Sequence, residues 1–356
     1  MIQSDETIYI RPLGLVSGAT ARLMCADGQA VPLAGGPFAF THGEVNSRDN
    51  SGNAQRSVRS VADLGDGLAR LSEPRGSFAG IPLPDVGGQP LVMGILNVTP
   101  DSFFDGGRHA DADAAIGHGR ALRAAGADLI DIGGESTRPG AKPVSVEEEL
   151  ERVMPVVAAL AGEDVPVSID TRRAPVMREA IAAGARIVND VAALQGDSAS
   201  LDAVATSDAG VILMHMQGSP GTMQNAPRYD DVVFDVYDAL AARVAVYETA
   251  GITPARICVD PGIGFGKTAT HNLELISSLA IFHGLGCALA IGVSRKSFID
   301  ALVGPVRAED RLPGSLAAMV MAIGQGAQIV RVHDVGETVQ AISLWRQTGA
   351  VLTPLT

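Results

Sequence analysis

Residues 328–338 read QIVRVHDVGET. Strand alternation sets Ile329, Arg331 and His333 on one face and Val330 and Val332 on the other, so the run is a strand whose first face turns polar toward its carboxyl end. Seven earlier runs share that build: LVMGIL from Leu91, DLIDIG from Asp128, PVSID from Pro166, RIVND from Arg186, GVILMH from Gly210, RICVD from Arg256 and ALAIGV from Ala288. All are short and rich in branched residues. Ala-rich segments of helical spacing separate them, which is the pattern of β-α units on a parallel sheet. Eight strands close a barrel, and the 271 residues from 86 to 356 are close to the roughly 250 typical of that architecture. The expected fold class is therefore α/β, a (β/α)8 TIM barrel over residues 86–356 with an N-terminal accessory extension over residues 1–85. A doubly wound open sheet is the alternative. It usually carries a G-x-G-x-x-G turn after its first strand, and none follows Leu96.

Polar residues gather at one end of the eight runs. Asn97 follows the first, Glu135 to Arg138 the second, Asp170 ends the third, and Asn189 with Asp190 end the fourth. His215 ends the fifth, Asp260 the sixth, Ser294 to Lys296 follow the seventh, and Arg331 with His333 finish the eighth. In a barrel the carboxyl ends of the strands form the active-site face, so this distribution points to an enzyme or a ligand-binding barrel.

The first 85 residues differ in character. They contain no Lys, and their middle, THGEVNSRDNSGNAQR from Thr41, is polar and rich in turn formers. Short apolar pieces such as TIYIRPLGLV from Thr7 predict strands and irregular structure in place of long helices. Residues 74–90, PRGSFAGIPLPDVGGQP, have the Pro and Gly density of a connector. The extension is expected to be a small accessory subdomain that packs against or caps the barrel.

Composition narrows the partners. With 27 basic and 40 acidic side chains the net charge is −13, which argues against a grip on nucleic acid, because that needs a basic face. Only three of the cations are Lys: Lys142, Lys267 and Lys296. Apolar residues make up 46% and charged ones 19%, enough for a large core and too little charge for a disordered chain. Cys25, Cys258 and Cys287 are odd in number and form no C-x-x-C pair, so they read as buried apolar residues in a reducing compartment. The start, MIQSDETIYI, carries acids where a signal peptide carries cations, and no apolar run approaches the roughly 18 residues of a membrane span. A soluble, cytoplasmic protein with neither nucleic-acid nor membrane partners is expected.

Two groups of side chains carry the chemistry. Arg295 and Lys296 leave the seventh strand beside Arg331 and His333, where barrels build anion sites from the last two loops and a helix N-terminus. The competing role for either arginine is a structural pair with a barrel carboxylate. Asp170 and Asp260 each end an apolar strand and need donors; a heterocycle with two N–H groups on one edge would match a carboxylate's two oxygens. Asn189, with donors and an acceptor, can read an adjacent amide-type edge. For Asp170, capping the next helix is the rival role. The segments NVTPDSFFDGG from Asn97, GGESTRPGA from Gly133 and DPGIGFGKT from Asp260 are loops by composition, and Phe265 between glycines is placed to lie against a ring.

Taken together, MGILNVTPDSF, IDIGGESTRPGA, SIDT, IVND, MHMQGSPGTMQ, DPGIGFGKT, SRKSF and RVHDV resemble the signatures of the dihydropteroate synthase family of pterin-binding proteins, in family order from Leu91 to about Trp345. The resemblance implies condensation of (7,8-dihydropterin-6-yl)methyl diphosphate with 4-aminobenzoate to give 7,8-dihydropteroate and diphosphate. It assigns Asp170, Asn189, Met214, Asp260 and Lys296 to the pterin pocket and Asn97, Arg331 and His333 to the diphosphate site. Asn97 is also the implied Mg2+ contact. Thr137, Arg138 and Pro139 fall in the family's second loop and Phe103 in its first. Phe265, Lys296 and Ser297 fall where the family holds aminobenzoate, the site that sulfonamides mimic. The implied assembly is a homodimer. Lys296, Arg331, Asp170, Thr137 and Arg138 are the residues expected to carry the reaction, with Lys296 and Arg331 acting on charge and not as nucleophiles. Phe104 stands where many relatives have Ser. His215 and Gln217 read as structural. A non-catalytic pterin-binding paralogue and a pterin-dependent methyltransferase are the alternatives; the complete motif set and the cations opposing a diphosphate weigh against both.

Overall fold

The computed structural model describes residues 7–48, 54–65, 67–85, 88–99, 108–135, 144–218 and 221–350. The extension supplies β1 (Thr7–Leu13), β2 (Val16–Ser17), α1 (Gly18–Ala26), β3 (Val31–Pro32), β4 (Phe38–Phe40), β5 (His42–Arg48), β6 (Ala54–Ser60), α2 (Gly67–Ser72), β7 (Ser77–Phe78) and β8 (Ile81–Pro82). They form an antiparallel sheet β1-β5-β6, a small sheet β2-β4-β3 and the hairpin β7-β8.

The barrel strands are β9 (Leu91–Asn97), β10 (Leu129–Gly133), β11 (Val167–Asp170), β12 (Ile187–Asp190), β13 (Gly210–Met214), β14 (Ile257–Asp260), β15 (Ala288–Gly292) and β16 (Ile329–Val332). Seven lie within the predicted runs, and β9 runs one residue beyond its own, taking in Asn97. They pair in parallel in chain order, and β16 closes on β9 with Arg331 opposite Met93. The outer layer consists of α3 (Arg108–Ala124), α4 (Val146–Gly162), α5 (Ala174–Ala182), α6 (Ser200–Ala205), α7 (Val232–Thr249), α8 (Ala269–Ser277), α9 (Ser297–Val303), α10 (Leu312–Gly324) and α11 (Val335–Ala350). Starts are fixed locally: Ser145 accepts the Glu148 N–H ahead of α4, Asp231 accepts from Val233 and Phe234 ahead of α7, and Thr268 forms a capping box with His271 ahead of α8.

Strand alternation sorts the barrel into two cores. Ile130, Ile132, Val167, Ile169, Val211, Leu213, Val330 and Val332 face the helices, while Met93, Leu129, Ile187, Ile212, Cys258 and Ile329 fill the interior. The interior core is completed by the extension. Phe78, wholly buried, stands with Ile81 and Leu83 among those interior side chains, at the amino ends of the strands. Removing an aromatic side chain of that size from water contributes roughly 2–3 kcal/mol. The fit is close: a Cβ on Gly210, the first residue of β13, would lie 2.7 Å from Ala79 Cβ. The stretch 74–90, expected to be a connector, is thus partly a plug. Its Pro and Gly density serves a tight hairpin, with Ala79 and Gly80 both at positive φ.

The extension also holds the flank. Tyr9 Oη donates to Asp238 on α7 at 2.7 Å, with its ring 4.4 Å from that of Phe234, and Arg75 donates to the His283 carbonyl at 2.8 Å. Cys258 and Cys287 are buried thiols as expected, whereas Cys25 on α1 is half-buried; all three are free. Among the described residues, no helix is long and apolar enough to cross a membrane.

Candidate active site

The parity that sends Leu129, Ile187 and Ile329 into the floor sends Asp131, Asn189 and Arg331, two residues later, into the mouth. Arg331 sits at the centre of this layer. Its Nε donates to Asp131 Oδ2 at 2.6 Å and its Nη2 to Asp170 Oδ2 at 2.8 Å, while Asn189 Nδ2 donates to the same Asp131 oxygen at 3.0 Å. Burial pushes the Asp170 carboxyl up to about 7 against the pull of Arg331. Burial alone would lower Arg331, but Asp131 and Asp170 outweigh it and hold the guanidinium above its ordinary value. Asp170 is therefore part of an ion-pair network. The α5 start uses another acid, since the Ala174 N–H is bound by Asp197 Oδ2 at 3.0 Å.

Asp260, at the end of β14, is buried, and its Oδ1 accepts the Gly262 N–H at 2.7 Å. Burial raises its pKa, partly offset by that bond and by Lys296. Met214 closes the wall on the neighbouring strand, where it pairs in register with Asp260. Lys296 precedes α9, and its Nζ lies 4.0 Å from the centre of the Phe265 ring. Burial draws this lysine down to about 8. Among the described residues no carboxylate stands within 4.0 Å of its nitrogen. Ser297 is the first residue of α9, next to it in the chain.

His333 Nδ1 lies 3.0 Å from Ser294 Oγ, which joins the ends of β15 and β16. Arg295 forks onto Asp334, with Nε 3.0 Å from Oδ2 and the second contact closer still. For Arg295 the structural-pair role is the one realised. Arg331 also carries two carboxylate partners, so the described part of the mouth is less positive than the sequence suggested, and Lys296 is its unpaired cation. Asn97 ends β9 with its Oδ1 3.8 Å from where a Cβ on Gly133 would sit, and Asp170 Cβ lies 3.6 Å from that point. Gly133 thereby keeps the gap between these two side chains open. Phe103, Phe104, Thr137, Arg138 and Pro139 lie outside the described residues.

Two residues of this neighbourhood had no role assigned from sequence. Asp131 is the shared acceptor of Arg331 and Asn189; its signal was an acid in LIDIG on the same parity as Leu129. Lys267 is buried and bonded to Phe265 and His215. Nothing in the spacing of GFGKT distinguishes it from a solvated lysine.

The family of pterin binding enzymes matches residues 93–333. The Escherichia coli (strain K12) dihydropteroate synthase is 51% identical over 262 residues, covering 73% of this chain and 92% of that protein. The chain belongs to the dihydropteroate synthase family of pterin-binding enzymes. Its members are transferases of folate biosynthesis. The barrel is likewise similar to the Xanthomonas albilineans dihydropteroate synthase solved with 4-aminobenzoic acid, with 49% identity and a TM-score of 0.69 over 74% of this chain and 94% of that one. The Burkholderia cenocepacia dihydropteroate synthase complexed with 7,8-dihydropteroate gives 46% identity and a TM-score of 0.68 over 74% and 93%. The family match begins after the extension, whose plug and flank contacts lie outside it.

Proposed function

We propose that the mouth condenses (7,8-dihydropterin-6-yl)methyl diphosphate with 4-aminobenzoate, giving 7,8-dihydropteroate and diphosphate. The observation that carries this is the polar layer itself: Asp260, Asn189, Asp170, Lys296 and Arg331 ring one opening above an apolar floor, in a chain of this family. Asp260, oriented through Gly262, accepts the two donors of the pterin's guanidine-like edge, and Asn189 reads the adjacent amide. Met214 lines the ring, and Asp170 is held in place by Arg331. The carbon–oxygen bond breaks with its electron pair leaving on diphosphate, and the arylamine nitrogen then bonds the methylene carbon and gives up one proton. Arg331 and His333 face the leaving group, and Lys296 acts on its charge and on the pterin. Aminobenzoate lies against Phe265 and Ser297, with Thr137, Arg138, Pro139 and Phe103 contributed by the first two loops.

Asn97 fits a Mg2+ contact: it offers one amide oxygen beside the gap at Gly133, and Mg2+ takes few protein ligands, sharing the rest with phosphates and water. When bound, the ion supplies charge neutralisation to the diphosphate. A cytoplasmic homodimer is part of the same proposal. It is supported by free thiols and by exposed Leu302, Val303, Met321 and Leu344 on α9, α10 and α11.

Purified protein with both substrates and Mg2+ is expected to release diphosphate only when 4-aminobenzoate is present. Absence of turnover, with pterin still bound, would favour the non-catalytic paralogue. Asp260→Ala is expected to abolish pterin binding in calorimetry; retained affinity would remove Asp260 as the anchor.

A further inference from the structure

The backbone of the loop that carries Phe265 is bonded by three side chains, two from the connection between β13 and α7 and one, Lys267, from the loop's own end. Gln224 Nε2 donates to the Gly264 carbonyl at 2.6 Å, Lys267 Nζ to the Phe265 carbonyl at 3.0 Å, and Tyr229 Oη to the Gly266 carbonyl at 2.8 Å. Lys267 is the innermost of them, only 3% exposed. Its nitrogen also lies 3.0 Å from His215 Nδ1 and 3.4 Å from the His215 carbonyl, so three acceptors surround one ammonium. A buried lysine normally meets a carboxylate; among the described residues this one has none within ion-pair distance. Backbone contact is equally tight, because a Cβ on Gly262 would fall 1.9 Å from the His215 carbonyl oxygen. Gly262, Gly264 and Gly266 all have positive φ, so the loop has one narrow path past His215 and Gln217.

We propose that Lys267 is a positioning residue for the arylamine substrate: it ties the Phe265 backbone to the end of β13 and thereby sets the Phe265 ring against Lys296. This rests on the placement of aminobenzoate at Phe265 proposed above. Burial drives His215 down to about 3, so its ring is neutral and Nδ1 is an acceptor for Lys267. Burial also draws Lys267 down, to about 7, opposed by Asp260; three acceptors at its nitrogen favour the charged form. On the pterin side Arg331 and Asn189 are held by bonds to Asp131, and Asp260 by the Gly262 N–H at the first turn of the loop, ahead of the carbonyl that Lys267 binds, so the arylamine depends on Lys267 more than the pterin does.

The test is a split in KM. In Lys267→Met the KM for 4-aminobenzoate is expected to rise about tenfold or more, the scale set by losing a charged hydrogen bond, while that for the pterin diphosphate stays within about twofold. In His215→Leu, which leaves Lys267 its two carbonyls, the same split is expected at smaller size. Hydrogen exchange should quicken in residues 264–266 of both variants and stay unchanged in β10 and β16. Equal changes in both KM values, or none, in the variants that fold would overturn the proposal. Failure of the reaction assignment looks different: wild-type protein would then show no aminobenzoate-dependent turnover, and the exchange pattern would still report whether Lys267 holds the loop.

Discussion

At the amino ends of the barrel strands the inward side chains are Met93, Leu129, Ile187 and Ile329, sealed by Phe78 from the extension. At the carboxyl ends the same inward faces carry Asn97, Asp131, Asp170, Asn189, Asp260 and Arg331. One step of two residues along β10, β12 and β16 thus converts an apolar floor into a polar, charged mouth, because side chains alternate along each strand. The two ends also differ in what they do for the fold. The floor gains from burying apolar surface. The mouth holds groups whose pKa values burial has displaced, Asp170 upward and Lys296 downward, which is a cost to stability kept for chemistry.

Phe78→Ala strikes the floor alone. It should destabilise the protein by about 3–5 kcal/mol, the usual range for emptying an aromatic core site. Calorimetric melting measures this, and kcat/KM well below the transition should be unchanged; a matching loss of kcat/KM would mean that floor and mouth are coupled. Lys296→Met strikes the mouth. Turnover should fall about 10²–10³-fold, the scale of removing one fixed charge-stabilising group. Ligand-free protein should meanwhile melt no lower at pH 7 and gain about 1–2 kcal/mol from no longer burying an amine whose pKa the fold depresses. A stability loss comparable to that of Phe78→Ala would erase the contrast between the ends.

The pH dependence sharpens the same contrast. The Lys296 pKa is drawn from 10.5 to about 8, so the folded protein binds fewer protons than the unfolded chain between those values. Stability from this group therefore rises with pH across that window, while aminobenzoate-dependent turnover, which needs the ammonium, falls as pH climbs through about 8. The stability gap between Lys296→Met and wild type should narrow toward pH 10, and a pH-rate profile with no alkaline decline would remove the charge of Lys296 from catalysis. The smallest effect is at the flank. Tyr9→Phe deletes the bond to Asp238 and should cost about 0.5–1.5 kcal/mol with no change in either KM.

Much of this was legible from residues. Each of the eight strands coincided with a predicted run to within one residue, since hydrophobic alternation and parallel pairing impose the same pattern on the chain. The mouth residues Asp170, Asn189, Asp260 and Arg331 stood out because a polar residue at the carboxyl end of an apolar strand has few other uses, and Lys296 because it follows such a strand beside other cations. Arg295 and Arg331 looked alike in the sequence, yet one forks onto Asp334 outside the polar layer and the other centres it. Residues 74–90 looked like a connector because a hairpin plug and a linker share the same turn chemistry. Asp131 and Lys267 passed without a role because their partners lie far away in the chain: Asp131 meets Arg331 across 200 positions, and Lys267 meets His215 across 52.

The sequence by itself determined the barrel, the end at which its chemistry gathers and the family to which its motifs belong, because alternation, strand count and motif order are local properties of the chain. Only the tertiary structure decided which charges are tied to one another, that the extension seals the floor, and that a buried lysine fastens the loop of Phe265. Those outcomes depend on distances between residues that nothing in their sequence spacing fixes.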